Sequence, residues 1–370
     1  MNLDNYFAEL AQLVNVDCGT HTPEGVAQVA EIISGFWRAE GWQVQPVNLG
    51  TEVGPGVLVT NKPDAAHYDV LLVGHLDTVF PPGTVAERPM SLNTTRAMGP
   101  GVSDMKSGLL NILWALRGLD ETHKSRLSIS VAMNPDEETG SEHSSKWLSE
   151  LALRAKTVLV CEAARADGSL VKARKGVAGY RLIFSGKAAH AGNEPEKGRS
   201  AINALAKAIG TINALANAEL GTTLNFGVVH GGDAANVVPA HAEAELDVRF
   251  WRNDEYQRIS EQLQTLCDSG FLDGVTTTLM RTTHKPAMAA DAGTQALMQL
   301  VEQAGREEGV AISWQAVGGG SDANLTSALG IPTLDGFGPV GAGFHGPDEY
   351  LEIDSIEPRI RLLRKVIASL

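Results

Sequence analysis

The sequence predicts an α/β protein with a mixed, largely parallel sheet, into which a smaller ferredoxin-like α+β unit is inserted. Three observations predict this fold. Apolar strand-like runs alternate with amphipathic helical stretches early in the chain, which is typical of a parallel sheet covered by helices. A β-α-β-β-α-β order follows, the order of a ferredoxin-like unit. The chain has 370 residues, more than one hydrophobic core usually supports.

The first part of the chain contains the predicted parallel sheet. Its first helix is expected to begin at Thr22-Pro23, a capping hydroxyl followed by a proline in the first turn, and to end at Gly41. Pro46 restricts the next strand to a sheet edge, because proline cannot donate to a ladder. The predicted strands are 43–47, 56–59, 70–73, 127–133 and 157–161, with a buried helix at 108–119.

The pattern changes in the second half of the chain. The inserted unit is predicted at 178–284, and 1–177 together with 285–370 form the discontinuous metal-binding domain. The inserted unit comprises strand 179–184, helix 200–215, strands 223–229 and 242–250, helix 255–266 and strand 275–281. The metal-binding domain is completed by helix 293–308, strand 312–316 and helix 355–369.

Composition excludes several classes of partner. The formal net charge is −14 and no Lys/Arg run occurs, so nucleic acids and anionic membranes are not expected as partners. Three cysteines are too few for a disulfide framework and fit a reducing compartment. The N-terminus resembles no signal peptide, and no apolar run approaches the ~20 residues that span a bilayer. A cytoplasmic location is therefore expected.

The ends of the predicted parallel strands carry the residues with chemistry. Gly74-His75-Leu76-Asp77 follows one apolar run and presents an imidazole and a carboxylate on the same face. Two further apolar runs end beside acids, and ligands bind at the carboxyl ends of strands in open α/β sheets. The side chains delivered to this edge predict a metal site; they are His75, Asp77, Glu137, Glu138 and Glu162.

Two further residues complete the predicted site, Asp104 in a Gly-rich turn and His345 near the C-terminus. Imidazoles and carboxylates together suit a pair of zinc ions bridged by one carboxylate. Because the side chains of Glu137 and Glu138 diverge, one can bind metal while the other acts as a general base. Asp77 is close enough in sequence to orient the ring of His75.

In order, these pieces resemble the co-catalytic zinc aminoacylase/carboxypeptidase family of metallopeptidases, and within it the bacterial glutamate carboxypeptidases that cleave folates. The resemblance spans about residues 70–350. It includes Ala173-Arg174-Lys175-Gly176, Gly186-Lys187-Ala188-Ala189-His190-Ala191-Gly192, Asn236-Val237-Val238-Pro239, Asp247-Val248-Arg249 and Gly318-Gly319-Gly320-Ser321-Asp322-Ala323.

The resemblance implies a zinc-peptidase-like catalytic domain that holds two zinc ions, with cobalt or manganese as substitutes. Asp104 would bridge the ions. His75 and Glu162 would hold one ion, and Glu138 and His345 the other. The family often has a cis peptide after the bridging residue, which here is the Asp104–Met105 bond. Many members have a second Asp where this chain has Met105, a position that is not a ligand in the family.

The resemblance also implies the remaining roles. Glu137 would be the general base and Asp77 the acid that orients His75. The inserted domain would form a homodimer, in which His190 reaches the partner's active site and stabilises the oxyanion. The implied substrate-binding residues are Arg249, Asn236, Lys175, Gly318, Gly319 and Gly320.

Three functional hypotheses remain open at this point. The first is a di-zinc exopeptidase that releases a C-terminal amino acid, Glu or Asp, from a small peptide or N-acyl amino acid. Lys285 or Arg281 would then be candidates to bind the side-chain carboxylate. The second is an N-acyl-amino-acid deacylase, such as an acetylornithine deacetylase or a desuccinylase. The third is an inactive relative that only binds a ligand.

Overall fold

The computed structural model describes all residues from Met1 to Leu370. The chain divides into two compact units. The first comprises Met1–Ala173, Ala290–Val317 and Ser321–Leu370, and the second comprises Arg174–Ala289 with Gly318–Gly320. The second unit begins before and ends after the predicted 178–284, because the first and last strands of its main sheet, in chain order, run over Gly176–Ser185 and Thr276–Lys285. None of the helices has both the length and the apolarity needed to cross a bilayer.

Strands and helices alternate along much of the chain. The strands are β1 (Gln43–Val47), β2 (Gly56–Thr60), β3 (Val70–His75), β4 (Ser91–Leu92), β5 (Arg96–Met98), β6 (Ile129–Asn134), β7 (Val158–Val160), β8 (Leu170–Arg174), β9 (Gly176–Ser185), β10 (Ala189–His190), β11 (Thr223–Gly231), β12 (Val237–Val238), β13 (His241–Phe250), β14 (Thr276–Lys285), β15 (Trp314–Val317), β16 (Thr333–Leu334), β17 (Gly341–Ala342) and β18 (Tyr350–Glu352). The helices are α1 (Leu3–Val14), α2 (Pro23–Ala39), α3 (Thr84–Glu87), α4 (Ser107–Arg117), α5 (Glu121–Arg126), α6 (Ser145–Ala152), α7 (Ala201–Asn213), α8 (Asn253–Ser269), α9 (Ala292–Glu308), α10 (Ala323–Ala328) and α11 (Ile353–Ser369).

The main sheet of the first unit has the order β1-β2-β6-β3-β7-β16. The four strands from β6 to β16 are parallel, while β1 and β2 pair antiparallel at one end. The predicted mixed, largely parallel sheet is therefore confirmed. The strand that contains Pro46 lies at the edge of the sheet, where a residue without an N–H is tolerated.

Helices cover the sheet because each presents an apolar stripe to it. Helix α4 carries Leu109, Leu110, Ile112, Leu113 and Leu116, all fully or almost fully buried in the core of this unit. Helix α2 begins at Pro23 as predicted, although the Thr22 side chain makes no capping hydrogen bond. The fixed φ of a proline at the first helical position suffices to start the helix there.

The second unit has its own core and a four-stranded antiparallel sheet. The order β11-β13-β9-β14 and the intervening helices reproduce the predicted β-α-β-β-α-β unit. Helices α7 and α8 pack against one face, where alternate side chains of β13 such as Ala244, Leu246 and Val248 are buried. The other face carries polar side chains, as the period of two requires.

A smaller sheet, β17-β18-β5-β4, belongs to the first unit and was not predicted. Its strands have two or three residues, too few for an alternation pattern to be read from the sequence. Helices α1 and α6 and strand β8 were also not predicted. The small sheet matters because the loop between β17 and β18 contains His345.

The approach of α4 to the end of β7 gives a stability prediction. In Gly108→Ala the new Cβ would lie 2.0 Å from the carbonyl oxygen of Cys161, so helix or strand must shift. We expect the free energy of unfolding to fall by about 1–3 kcal/mol, the usual cost of overpacking. Gly35→Ala in α2 is the matched control, because no atom lies within 4 Å of its Cβ. That variant should gain about 0.5 kcal/mol in urea unfolding of metal-free protein; equal effects of the two changes would contradict the predicted overpacking.

Candidate metal centre and active site

The parallel register brings the predicted strand-end residues to one edge of the sheet. Strand β3 lies between β6 and β7, and His75 is paired with Asn134 at the end of β6. Glu137 and Glu138 follow β6 in a 3-10 turn, and Glu162 follows β7 by two residues. The carboxyl ends of these strands therefore meet at one place, which is where ligands bind in such sheets.

The carboxylate of Asp77 links the segments that follow β3 and β6. This buried carboxylate lies 3.2 Å from Nδ1 of His75 and accepts the hydroxyl of Thr20. It also accepts the backbone N–H groups of Glu137 and Glu138, each at 3.2 Å. With Nδ1 held in this way, the ring of His75 presents Nε2 to the other acids.

The two oxygens of Asp104 face two different imidazoles. Oδ1 lies 3.2 Å from Nε2 of His75, and Oδ2 lies 3.2 Å from Nε2 of His345. Glu162 approaches His75 at 3.6 Å, while Glu138 approaches His345 at 3.2 Å. One carboxylate is thus shared by two pairs, each made of an imidazole and a second carboxylate.

These donors fit divalent cations. Ligand atoms of His75, Asp104 and Glu138 all lie within 4.8 Å of one another. No backbone N–H donates to the carboxylates of Asp104, Glu138 or Glu162, whereas the carboxylate of Asp77 accepts two such groups. Nitrogen and oxygen donors that face each other without backbone partners suit zinc or a similar borderline ion.

The charge distribution leads to the same conclusion. Burial raises the pKa of Glu138 to about 7 and that of Glu162 well above its usual value. Hydrogen bonds to Asp104 and Glu138 raise the pKa of His345 to about 10. Burial disfavours a charged His75, but Glu162, Asp104 and Asp77 together raise its pKa well above 6.5. Positive charge is therefore strongly favoured among these acids, and in the metal-free protein protons on the imidazoles supply it.

The segment around Asp104 has an unusual backbone. The Asp104–Met105 peptide bond is cis, as the resemblance implied. The sulfur of Met105 accepts the backbone N–H of His75, so the two ligand-bearing segments touch directly. His345 has φ 63°, a left-handed conformation that is uncommon for a residue other than glycine and that clusters at functional sites.

The Gly-rich stretch is divided between the two units. Gly318–Gly320 belong to the second unit, where the carbonyl of Gly319 accepts Nη1 of Arg174 at 3.0 Å. Asp322 belongs to the first unit and is buried. Its carboxylate accepts Oγ of Ser141 and, at 2.7 Å, Nδ2 of Asn134, so it supports the turn that carries Glu137.

The second unit holds the other predicted residues in two places. His190 and Asn236 are neighbours, because β10 pairs with β12 and the N–H of Ala191 donates to the carbonyl of Asn236 at 3.0 Å. Both side chains are exposed. Nδ1 of His190 accepts the N–H groups of Gly192 and Asn193 at 3.1 Å, so the neutral ring carries its hydrogen on Nε2.

Arg249 and Lys175 lie together at the opposite end of the β9–β13 pair, where Arg249 is paired with Val177. Nε of Arg249 donates to Asp247 at 2.8 Å, and its Nη groups make no hydrogen bond. Nζ of Lys175 donates to the carbonyl of Gly221 at 2.6 Å. Burial and the charge of Arg249 lower the pKa of Lys175, as expected where two cations share one place.

Residues 71–369 match Peptidase family M20/M25/M40. The chain belongs to this family. Carboxypeptidase G2 of Pseudomonas sp. (strain RS-16) is 30% identical over 369 residues, which cover 98% of this chain and 88% of that protein. Acetylornithine deacetylase of Edwardsiella ictaluri is 28% identical and covers 88% of each chain.

Solved structures agree in fold. Aminopeptidase PepT from Bacillus cereus superposes with a TM-score of 0.83 at 24% identity and covers 100% of this chain and 99% of its own. The M20 family metallo-carboxypeptidase Sso-CP2 from Sulfolobus solfataricus has a TM-score of 0.75 at 19% identity, with the same coverage. The predicted resemblance is confirmed, and the chain is a metal-dependent hydrolase, a metallopeptidase or amidohydrolase of the M20 family.

Sequence reasoning missed three residues that hold the site. They are Thr20, Asp322 and above all Glu349, whose buried carboxylate accepts the N–H groups of Gly101, Ser103 and Asp104. An isolated acid in a Gly- and Pro-rich loop is usually a solvated turn residue, and the sequence does not distinguish Glu349 from such a residue. Its position just before the apolar Tyr350-Leu351 was the only available signal.

Proposed function

We propose that this M20 family member is a di-zinc exopeptidase that hydrolyses the amide bond to a C-terminal amino acid of the glutamate type. The observation that carries this proposal is the division of the Asp104 oxygens between two imidazole–carboxylate pairs, one with His75 and one with His345. The pairs would hold two ions, the first with Glu162 and the second with Glu138. Bound divalent ions would polarise the scissile carbonyl and acidify a water molecule.

Glu137 is the proposed general base. Its backbone N–H is held by Asp77, and its charge acts on both Glu138 and Glu162, so its side chain belongs to the same cluster. In this position the Glu137 carboxylate would take a proton from the attacking water and return it to the leaving nitrogen. Asp77 would keep both the general base and His75 oriented.

The residues of the second unit would bind the substrate. Nε2–H of His190 is the proposed donor to the oxyanion, since Nδ1 is occupied as an acceptor. The Nη groups of Arg249 would bind the free α-carboxylate of the substrate. Asn236 and the Gly318–Gly320 loop would line the same substrate site, and the charge of Lys175 favours an acidic released residue.

We further propose a homodimer through the second unit. His190 lies beyond the Ser185 end of β9, and Arg249 is paired near its other end, roughly 25 Å away at ~3.3 Å per residue. A single active site is therefore more easily formed from His190 of one protomer and Arg249 of the other than from both residues of the same protomer. Strand β11 is an open sheet edge with exposed Val228 and Val229, and such edges commonly pair between subunits.

Zinc as the native metal and a cytoplasmic location remain proposals. Nitrogen and oxygen donors support zinc, and cobalt or manganese could substitute. The three cysteines, Cys18, Cys161 and Cys267, are buried free thiols, which fits a reducing compartment.

A substrate comparison tests the proposed specificity. The likeness to carboxypeptidase G2 favours release of a C-terminal amino acid, while the likeness to acetylornithine deacetylase favours the deacylase alternative. With zinc supplied, we expect kcat/KM for release of glutamate from folyl or N-acyl-glutamate substrates to exceed that for acetylornithine by at least about tenfold. The reverse order would establish the deacylase. Absence of turnover across these and a panel of dipeptides would support an inactive relative.

Replacement of each of the two adjacent glutamates by alanine tests their roles. Glu137→Ala should retain both metals, since its carboxylate is not a ligand, and should lower kcat by roughly 10²–10⁴-fold. Glu138→Ala should lose metal, because its carboxylate faces His345. Metal content by atomic emission and steady-state kinetics provide the measurements. Metal loss in Glu137→Ala with retention in Glu138→Ala would show that the roles are reversed.

Complementation tests the composite active site. His190→Ala should lower kcat by about 10²-fold or more through loss of the oxyanion donor. Co-expressed with Glu137→Ala, it should regain up to about one quarter of wild-type activity, because half of the dimers are mixed and each mixed dimer has one intact site. Activity no higher than that of either variant alone would show that His190 serves its own protomer.

A further inference from the structure

The loop between β17 and β18 contains two residues directed at the same place. His345 is one of the proposed ligands, and Glu349 lies four residues later, directly before Tyr350. Strand β18 pairs antiparallel with β5, with Tyr350 opposite Met98. In this register Glu349, the residue before Tyr350, lies beside the turn that follows Met98. That turn leads to Asp104.

The Glu349 side chain is buried and reaches only backbone N–H groups in this turn. Oε2 accepts the N–H of Gly101 at 2.9 Å. Oε1 accepts the N–H groups of Ser103 and Asp104, both at 2.9 Å. With both oxygens engaged by the backbone, Glu349 differs from the acids that face the imidazoles.

These bonds determine where Asp104 can be. Gly101 has a left-handed backbone, and the residues from Val102 to Lys106 form one irregular helical turn whose first N–H groups need partners. Glu349 supplies a partner for two of them, Ser103 and Asp104, and also for the N–H of Gly101 just before the turn. The main chain that carries the Asp104 carboxylate is therefore held in place by the His345 loop.

We propose that Glu349 is a positioning residue that couples the His345 loop to the Asp104 turn, so that the two sides of the metal centre form together. This inference rests on the proposed metal centre. Glu349 is not a metal ligand in this proposal. Its role is to help bring Oδ2 of Asp104 to 3.2 Å from Nε2 of His345. Carboxylates that orient metal ligands in this way typically change metal affinity by 10–100-fold when removed.

Metal binding and amide exchange test the coupling in the full-length protein. In metal-free wild type, the amides of Gly101, Ser103 and Asp104 should be protected from hydrogen exchange. In Glu349→Gln one acceptor oxygen becomes an NH₂ group, so exchange in this segment should accelerate. Affinity for Zn²⁺, measured by chelator competition, should fall at least about tenfold, and the visible spectrum of the Co²⁺ form should change. Glu349→Asp provides a second variant with the charge retained and a smaller expected loss.

Asp17→Asn is the matched control. Like Glu349, Asp17 has a carboxylate that accepts backbone N–H groups. It accepts two, those of Gly83 and Val85, in a turn without a proposed ligand. This variant should leave Zn²⁺ affinity within about twofold of wild type. An equal loss in Asp17→Asn, unchanged affinity in Glu349→Gln, or rapid exchange at these amides in metal-free wild type would each overturn the coupling. If the wild type itself bound no metal, the proposed metal centre would fail instead.

Discussion

The proposed metal centre depends on one interaction, the sharing of the Asp104 carboxylate between His75 and His345. Those two histidines lie 270 residues apart in sequence and in different layers of the first unit, one at the end of β3 and one in the loop after β17. A single carboxylate has oxygens only about 2 Å apart, so it can serve both imidazoles only if both segments are held tightly. Much of the surrounding structure provides that restraint.

Five acids around the proposed metal centre fall into two groups that the hydrogen bonds distinguish. Asp77 and Glu349 accept backbone N–H groups and thereby hold main chain in place. Asp104, Glu138 and Glu162 face imidazoles and accept no backbone N–H. A carboxylate with its lone pairs engaged by the backbone gains stability from those bonds, while one without them keeps its lone pairs for a cation. The same residue type therefore holds main chain in one place and remains available as a proposed ligand in another, according to its neighbours.

The predicted functional residues of the second unit are positioned in a different way. Its antiparallel sheet buries one face under α7 and α8, and the predicted substrate-binding residues lie at the two ends of the strands or in the loops beyond them. Loops on a rigid scaffold are where binding residues usually lie. The orientation of His190 is set locally, by two N–H donors to Nδ1 from its own turn. The ring is thereby arranged as an Nε2–H donor without help from any distant residue.

Local pattern was sufficient to predict most of the fold and the set of candidate ligands. Strand runs such as Val70–Val73 and the helical stripe of α4 are fixed by periodicity, and the parallel order then brings His75, Glu138 and Glu162 to one edge. Strands of two or three residues carry no such period. The sheet containing β17 and β18 therefore could not be predicted, and with it the position of Glu349.

The sequence by itself determined which chemical groups are available and in what order they occur. Only the tertiary structure decided which acids hold main chain and which face the imidazoles as proposed ligands, because that distinction depends on burial and on N–H donors from distant segments. Asp77 and Glu162 look alike as acids near strand ends, and both face the ring of His75. Only Asp77 also accepts two backbone N–H groups and the Thr20 hydroxyl. Hydrogen-bond partners far apart in the chain leave no trace in local pattern, so this level of detail becomes visible only after folding.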